Sequence, residues 1–422
     1  MIDPDKFQKI LGSQRAAQRQ WRALSLKARA RILAEIGRRF GAHGPQVADL
    51  VRTETRKTPL DAWFADVIPN LDLFTYWTTQ GLRAIRDERV GLSSLKFPGK
   101  EAVLHYEPKG IVGLITPWNY PAALALRSLV PALLAGNAVL FKPSEVTPKT
   151  GDLIVEIFNA SLPSGLLTVL HGDGAVGEAV VDAADHVIFI GSVEVGRKVS
   201  ARCAASLKSV SLELGGKDAA IVLADCDLER TAQGVLWGAM SNSGQNCASI
   251  ERVYVEQDIY SRFMTRMKAL MGAIDVAPVA TAAQDAKVRE HLAAAETAGA
   301  TLHGTYPGPV LVPGAPDDAA ILNEETFGPV CVVSPVADAA DAVRRTNDSR
   351  YGLTTSIWTR DDAKGRRLAA QVDTGVVTIN NVALTGAMGK RTKFQYKDNS
   401  QLLLRANSKQ PAAIGVTQRL PM

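Results

Sequence analysis

Apolar and polar positions alternate in two rhythms along this chain. Near the start, Ile32, Leu33, Ile36 and Phe40 recur at helical spacing with Arg and Glu between them, which predicts an amphipathic helix. From about residue 100 short apolar runs take over: IVGLIT (111–116), AVLF (138–141), LTVL (167–170), HVIFI (186–190), VSLEL (210–214) and AAIVL (219–223). Each reads as a buried strand, and segments such as 150–160 and 193–207 are long enough to be crossover helices. Strand, helix, strand in this order predicts a parallel sheet covered on both faces. RVYV (252–255), VCVVS (330–334), TTSIWT (354–359) and GVVTIN (375–380) predict a second α/β unit. FPGKEAVLHYEPKG (97–110) has Gly and Pro punctuation around an alternating AVLHY, and reads as a hairpin apart from the main sheet.

Composition narrows the class. The 422 residues are 46% hydrophobic and 22% charged, which suits a globular protein of two or three domains and excludes a disordered chain. Four cysteines (Cys203, Cys226, Cys247, Cys331) lack CxxC spacing, and the six histidines form no HExxH, so neither a disulfide framework nor a zinc site is expected. The start, MIDPDKFQKI, has Asp and Lys where an export signal needs an apolar run. The nearly apolar stretch 129–141 holds Pro131, Gly136 and Asn137 and is too short to span a bilayer. A cytoplasmic setting, no membrane and no metal are the expectations.

The net charge of +5, from 48 Lys and Arg against 43 Asp and Glu, first suggests an anionic partner such as nucleic acid. Its distribution removes that support. Residues 386–422 contain Lys390, Arg391, Lys393, Lys397, Arg405, Lys409 and Arg419 against Asp398 alone, a net of +6, so the rest of the chain carries −1. No nucleic-acid partner is expected for a nearly neutral body.

Five places carry candidate chemistry. Cys247 in SNSGQNCASIERVYV sits among small polar residues before a strand, whereas Cys331 lies inside an apolar run. An accessible nucleophile and a buried small hydrophobe both remain open for it. Glu213 in SVSLELGG is an acid within an apolar strand, which fits a general base or a strand-edge carboxylate. LITPWNYP (114–121) delivers Trp118, Asn119 and Tyr120 at the end of a strand, where parallel sheets place their sites. There Asn119 can either donate to an oxyanion or merely form the turn. VLFKPSE (139–145) ends a strand on Lys142 and Glu145, a cation and a carboxylate suited to ribose or phosphate. FIGSVEVG (189–196) is strand, Gly-Ser, helix, a phosphate site or a plain helix cap.

Together ITPWNYP, AGNAVLFKPSE, FIGSVEVG, LELGGKDAAIVL, SGQNCASIERVYV, NEETFGPV and YGLTTSIWTRD resemble the aldehyde dehydrogenase superfamily, in its order and at compatible spacings, from about residue 15 to about 385. The resemblance implies an α/β fold. A Rossmann-type NAD-binding domain would span 1–96 and 111–214, a small oligomerisation hairpin 97–110, and an α/β catalytic domain 215–385. It implies Cys247 as nucleophile, Glu213 as base and Asn119 as the oxyanion amide working with the Cys247 backbone N–H. For the cofactor it implies Lys142 and Glu145 at the adenosine ribose, and Gly191, Ser192 and Gly196 at the pyrophosphate turn. Trp118 and Leu214 would lie along the cofactor, with Glu325 and Phe327 as the nicotinamide-ribose clamp. NAD is the implied cofactor, with NADP also possible; Glu145 would repel a ribose 2′-phosphate.

On the substrate side the resemblance implies Tyr120 and Arg127. Arg127 lies eight residues past Asn119 and is either a partner for a semialdehyde carboxylate or a solvated helix charge. A homodimer or homotetramer is implied as well. The chain departs from the family in lacking most of the N-terminal strand pair, in a shortened 271–284, and in a basic tail, 386–422, that resembles no family ending. A shifted reading frame or a divergent ending would account for the tail. Three readings follow: an NAD-dependent aldehyde dehydrogenase, an inactive relative with an altered C-terminus, and a CoA-acylating member, against which the hydrolytic base Glu213 argues.

Overall fold

The computed structural model describes residues 3–382 and, as backbone, 401–404. The chain divides into two compact units. The first comprises Met1–Val47, Asp66–Phe189 and Lys198–Val210; the second comprises Ala48–Ala65, Ile190–Arg197 and everything from Ser211 onward.

The first unit begins with two helices whose sequence marks their starts. Asp3 caps Pro4–Ala23 by accepting from the N–H groups of Asp5 and Lys6, with Pro4 in the first turn, and Ser25 caps Leu26–Ala42. Leu33, Ile36 and Phe40 of the second helix are fully buried, as their spacing predicts, and Ile32 is half-buried at the margin of that face. The first helix buries Trp21, Gln14 and Gln18. Trp21 donates to the Leu133 carbonyl, Gln14 to Val139 and Gln18 to Gly136, so its polar side chains dock onto backbone acceptors of the end of the helix Pro121–Leu134, the turn after it and the strand that follows.

The strands that begin here are β1 (Glu88–Val90), β2 (Ala102–Leu104), β3 (Ile111–Ile115), β4 (Ala138–Lys142), β5 (Leu167–Val169), β6 (His186–Gly191) and β7 (Ser209–Leu214). The main sheet has the order β5-β4-β3-β6-β7, with β3 parallel to β4 and β6. Chain order therefore reverses between β3 and β6, the switch point of a Rossmann-type sheet. β1 and β2 form a separate antiparallel ribbon. Its first strand precedes the 97–110 segment read as a hairpin, because the polar ERV of β1 carries no apolar alternation.

The second unit holds β8 (Asp218–Val222), β9 (Ile250–Glu256), β10 (Val310–Pro313), β11 (Val330–Val336), β12 (Thr354–Trp358), β13 (Val376–Ile379) and β14 (Gln401–Leu404). Their order is β10-β11-β9-β8-β12-β13-β14, all parallel except β14, which runs antiparallel on β13. Fully buried Val, Ile and Leu fill both faces, with Phe263, Met267 and Trp358 on one side and Leu368, Ala369 and Val372 on the other. Apart from the β14 backbone, the basic segment 386–422 lies outside the described residues. Among the described residues no helix is long and apolar enough to cross a membrane, and no group of three or more His, Cys, Asp or Glu is placed to hold a metal ion.

Candidate active site

In the first unit, β3 ends at Ile115 and the chain turns through Thr116–Tyr120 into the helix Pro121–Leu134. Pro121 suits the first helical turn because its missing N–H would have no partner there. The next two N–H groups, of Ala122 and Ala123, both donate to Asp66 Oδ1 at 3.0 Å, and Asp66 is fully buried. This remote cap fixes where the helix starts, two residues after Asn119. Asn119 is 3% exposed, and Trp118 and Tyr120 are half-buried. Arg127, on the same helix, is partly buried rather than fully solvated.

Lys142 closes β4 with its side chain enclosed. Its Nζ lies 3.4 Å from Glu145 Oε2, and the Glu145 side chain is 66% exposed. A buried ammonium and an open carboxylate thus stand together at the carboxyl end of the strand.

In the second unit, Gly191 and Ser192 lead into the helix Val193–Ala205. Ser192 Oγ accepts from Val195 N–H at 3.3 Å, and its carbonyl accepts from Gly196 N–H at 2.9 Å. Gly196 has a packing reason: a Cβ there would stand 2.4 Å from Leu214 Cδ2. The two adjacent cofactor-side candidates are therefore seated against each other.

The Cys247 loop is knitted by the small polar residues that made this cysteine conspicuous. Asn242, Ser243 and Gly244 all have left-handed backbone, with φ of 54°, 55° and 70°. Asn242 N–H donates to Asp61 Oδ1 at 3.1 Å, and Asn242 Nδ2 donates to the Gln245 carbonyl at 3.0 Å. Gln245 returns its Nε2 to the Asn242 carbonyl and accepts from Ala280 N–H through Oε1. Cys247 follows, with Sγ 3.8 Å from Asn246 Oδ1. It is half-buried, whereas Cys203, Cys226 and Cys331 are buried. Burial pushes the Cys331 thiol up to about 12, and raises those of Cys203 and Cys226. Of the four thiols, only Cys247 is not fully buried, and it stands in a polar loop.

Glu213 is half-buried near the end of β7. The Gly215-Gly216 pair after it admits two close neighbours. A Cβ on Gly215 would lie 2.5 Å from both Glu325 oxygens, and one on Gly216 would lie 2.6 Å from the Cys247 carbonyl oxygen. Gly216 N–H donates to Glu325 Oε1 at 3.1 Å. Burial, reinforced by the nearby Glu251 charge, pushes the Glu325 carboxyl up to about 7. The structure therefore brings Glu213, Leu214, Cys247 and Glu325 to one backbone neighbourhood through these glycines.

Sequence reasoning missed the charges beneath this loop. Lys217 pairs with Glu251, both almost fully buried, and Asp218, also buried, accepts from Thr354 N–H and Oγ1. Burial pushes Asp218 up to about 8 and lowers Lys217, against the opposing pull of Glu251. An acid and a base heading an apolar strand, as in ERVYV, was the available signal, the same kind that singled out Glu213.

The comparisons agree with this layout. The model of the aldehyde dehydrogenase family matches residues 1–394. A 4,4'-diapolycopene aldehyde oxidase of Methylomonas sp is 37% identical over 395 residues, covering 90% of this chain and 74% of the relative. A betaine aldehyde dehydrogenase of Sinorhizobium fredii is 33% identical, covering 90% and 82%. Among solved structures, a lactaldehyde dehydrogenase superposes with a TM-score of 0.83 at 31% identity, covering 89% of this chain and 83% of its own. The NAD+ complex of a Staphylococcus aureus betaine aldehyde dehydrogenase gives 0.83 at 26% identity, covering 89% and 79%. With the parallel sheets, the polar cysteine loop and the family match in agreement, this chain belongs to the aldehyde dehydrogenase family.

Proposed function

We propose that Cys247 is the nucleophile with which this enzyme oxidises an aldehyde to its carboxylic acid, with NAD as hydride acceptor. The observation that carries the assignment is the contrast among the four cysteines: three buried, one half-buried in a polar loop. Cys247 Sγ bonds to the aldehyde carbon. Asn119 and the Cys247 backbone N–H hold the oxygen as it becomes negative. Bound NAD supplies the acceptor for the hydride that leaves this carbon, so that the acyl group remains on sulfur as a thioester. Glu213 then takes a proton from water, the water oxygen bonds to the acyl carbon, and the carboxylic acid departs from the restored thiolate.

The donor set fits a dinucleotide. Lys142 and Glu145 offer an ammonium and a carboxylate to the adenosine ribose at the end of β4. Gly191, Ser192 and Gly196 mark a 13-residue helix whose N-terminus suits a pyrophosphate. Trp118 and Leu214 would flank the cofactor, and Glu325 and Phe327 would clamp the nicotinamide ribose. The exposed Glu145 carboxylate favours NAD over NADP by repelling a 2′-phosphate. Tyr120 and Arg127 are assigned to the substrate side, and the partial burial of Arg127 supports its use there.

Assembly as a homodimer or homotetramer is supported by the β1–β2 ribbon. It exposes Val90, Leu92, Leu95, Phe97, Val103 and Leu104, more apolar surface than an isolated two-stranded ribbon sustains in water. Four cysteines without a disulfide suit a reducing cytoplasm.

The test is NADH formation with a panel of aldehydes, semialdehydes included. Cys247→Ala should abolish it, and Glu213→Gln should leave acyl-enzyme visible by mass spectrometry. A Cys247→Ala protein that kept the full rate would overturn the assignment.

A further inference from the structure

The buried pair Lys217–Glu251 takes no part in the chemistry above, yet both side chains are almost fully enclosed, 1% and 2% exposed. Removing two charges from water is costly, and an apolar pair of the same volume would serve packing as well. What the carboxylate touches supplies a reason for it. Glu251 Oε1 accepts from Phe327 N–H at 2.8 Å, and Oε2 accepts from Thr326 N–H at 2.7 Å as well as from Lys217 Nζ. Lys217 Nζ also donates to Thr326 Oγ1 at 3.1 Å. Two successive backbone N–H groups thus converge on one carboxylate, as at an anion-binding turn.

The turn they form is unfavourable by itself. Phe327 has φ of 56°, a conformation that an aromatic L-residue keeps only where its surroundings hold it. Thr326 is gripped from other sides, its carbonyl by Gln284 Nε2 at 2.7 Å and its Oγ1 by His291 Nδ1 at 3.1 Å. Glu251 stands on β9 four residues after Cys247, and Arg252 beside it donates from Nε to the Lys217 carbonyl at 2.8 Å. The same strand head therefore holds the segment leading from Cys247, the Gly215–Asp218 segment and the 325–327 turn.

We propose that Glu251, neutralised by Lys217, is a positioning residue that holds the 325–327 turn in its left-handed form, so that Glu325 and Phe327 are presented to the nicotinamide cofactor. The proposal rests on the reading of those two residues as the ribose clamp. It separates two properties that a general structural role would move together: cofactor binding depends directly on the 325–327 turn, whereas the backbone before Cys247 rests against Gly328 and Pro329, past the turn, so attack by Cys247 and hydrolysis by Glu213 are affected far less.

An activated ester makes this separation measurable. With p-nitrophenyl acetate, the Cys247 thiolate bonds to the acyl carbon and p-nitrophenolate leaves. Water activated by Glu213 then releases acetate and restores the thiolate, with no hydride acceptor needed. The experiment compares Glu251→Gln, the double variant Glu251→Gln/Lys217→Met and the control Glu325→Gln. Each is measured for NAD binding by tryptophan fluorescence, for ester hydrolysis without NAD and for melting temperature. Glu251→Gln leaves one turn N–H without an acceptor and Lys217 without a counter-charge; the double variant removes that charge and so decides the matter if the single variant folds poorly. Both should bind NAD about tenfold more weakly, while ester hydrolysis stays within about twofold of wild type.

Wild-type NAD affinity in the folded double variant would overturn the proposal. So would a fall in ester hydrolysis equal to the fall in NAD affinity. The control tells the two levels apart. If Glu325→Gln weakens NAD binding and the Glu251 variants do not, only the positioning role is lost. If Glu325→Gln binds NAD normally, the clamp reading fails and the proposal falls with it.

Discussion

Alanine at Gly244 tests how tightly the backbone before Cys247 is confined. Gly244 has φ of 70°, and a Cβ on it would stand 1.9 Å from the Gly328 carbonyl oxygen, 2.3 Å from its carbon and 3.0 Å from Pro329 N. All three are backbone atoms, so no side-chain rotation can relieve the clash. Ordinary contact begins at 3.4 Å, and the two segments would have to part by about 1.5 Å. The left-handed conformation alone costs an alanine about 1 kcal/mol. Cys247 lies three residues on, and a shift near 1 Å in a reacting atom costs about 100-fold in rate.

We therefore expect Gly244→Ala to lower kcat for aldehyde oxidation about 100-fold, to slow alkylation of Cys247 by iodoacetamide, and to lower the melting temperature. Gly272→Ala is the control. Gly272 has φ of −64° and nothing within 4 Å of its Cβ position, so all three readings should match wild type. A Gly244→Ala enzyme with kcat within twofold of wild type and an unchanged melt would refute the argument that close backbone approach sets the nucleophile.

Three further outcomes can be checked. Asp66→Ala removes the acceptor for two buried N–H groups at the helix that follows Asn119, and should cost about 2–4 kcal/mol by urea denaturation; Asp66→Asn should recover most of it, and an unchanged urea midpoint in the Ala variant would contradict the capping role. Asp218 and Glu325 have folded-state pKa values raised to about 8 and about 7, so the folded protein keeps protons that the unfolded chain releases. Their contribution to stability is complete below the usual carboxylate range and is lost as pH rises through 7 and 8; melting temperatures from pH 5 to 9 should show this slope, and Asp218→Asn should flatten it. Replacing the exposed carboxylate at Glu145 by Ser should raise kcat/KM for NADP relative to NAD about tenfold, and an unchanged ratio would remove Glu145 from cofactor choice.

Much of the sheet architecture was legible because parallel strands buried on both faces leave uninterrupted apolar runs, as in β3, β4, β8 and β11. β10 was not, since its VLVP sits among Pro and Gly that read as loop, and β1 was not, since ERV is polar. In the site, Cys247 and Glu213 stood out because each residue type is unusual in its immediate neighbourhood. Glu251 did not, although it is equally unusual, because an acid at a strand head reads as solvated until its partners are known. Those partners lie 34 and 75 residues away, at Lys217 and Thr326, a separation that no local pattern spans. Asp66 is hidden for the same reason: the first N–H it caps, that of Ala122, lies 56 residues later.

The unequal enclosure of the four thiols has a practical consequence. A bulky disulfide reagent added to the native enzyme should colour with one equivalent per chain, from Cys247, and with four only after denaturant. On the proposed role of Cys247, the native equivalent would count competent chains in any preparation, so that turnover could be expressed per reactive thiol rather than per milligram. The same inequality makes the molecule brittle toward peroxide. The first thiol an oxidant should meet is half-buried Cys247, the proposed nucleophile, because the other three cysteines are buried.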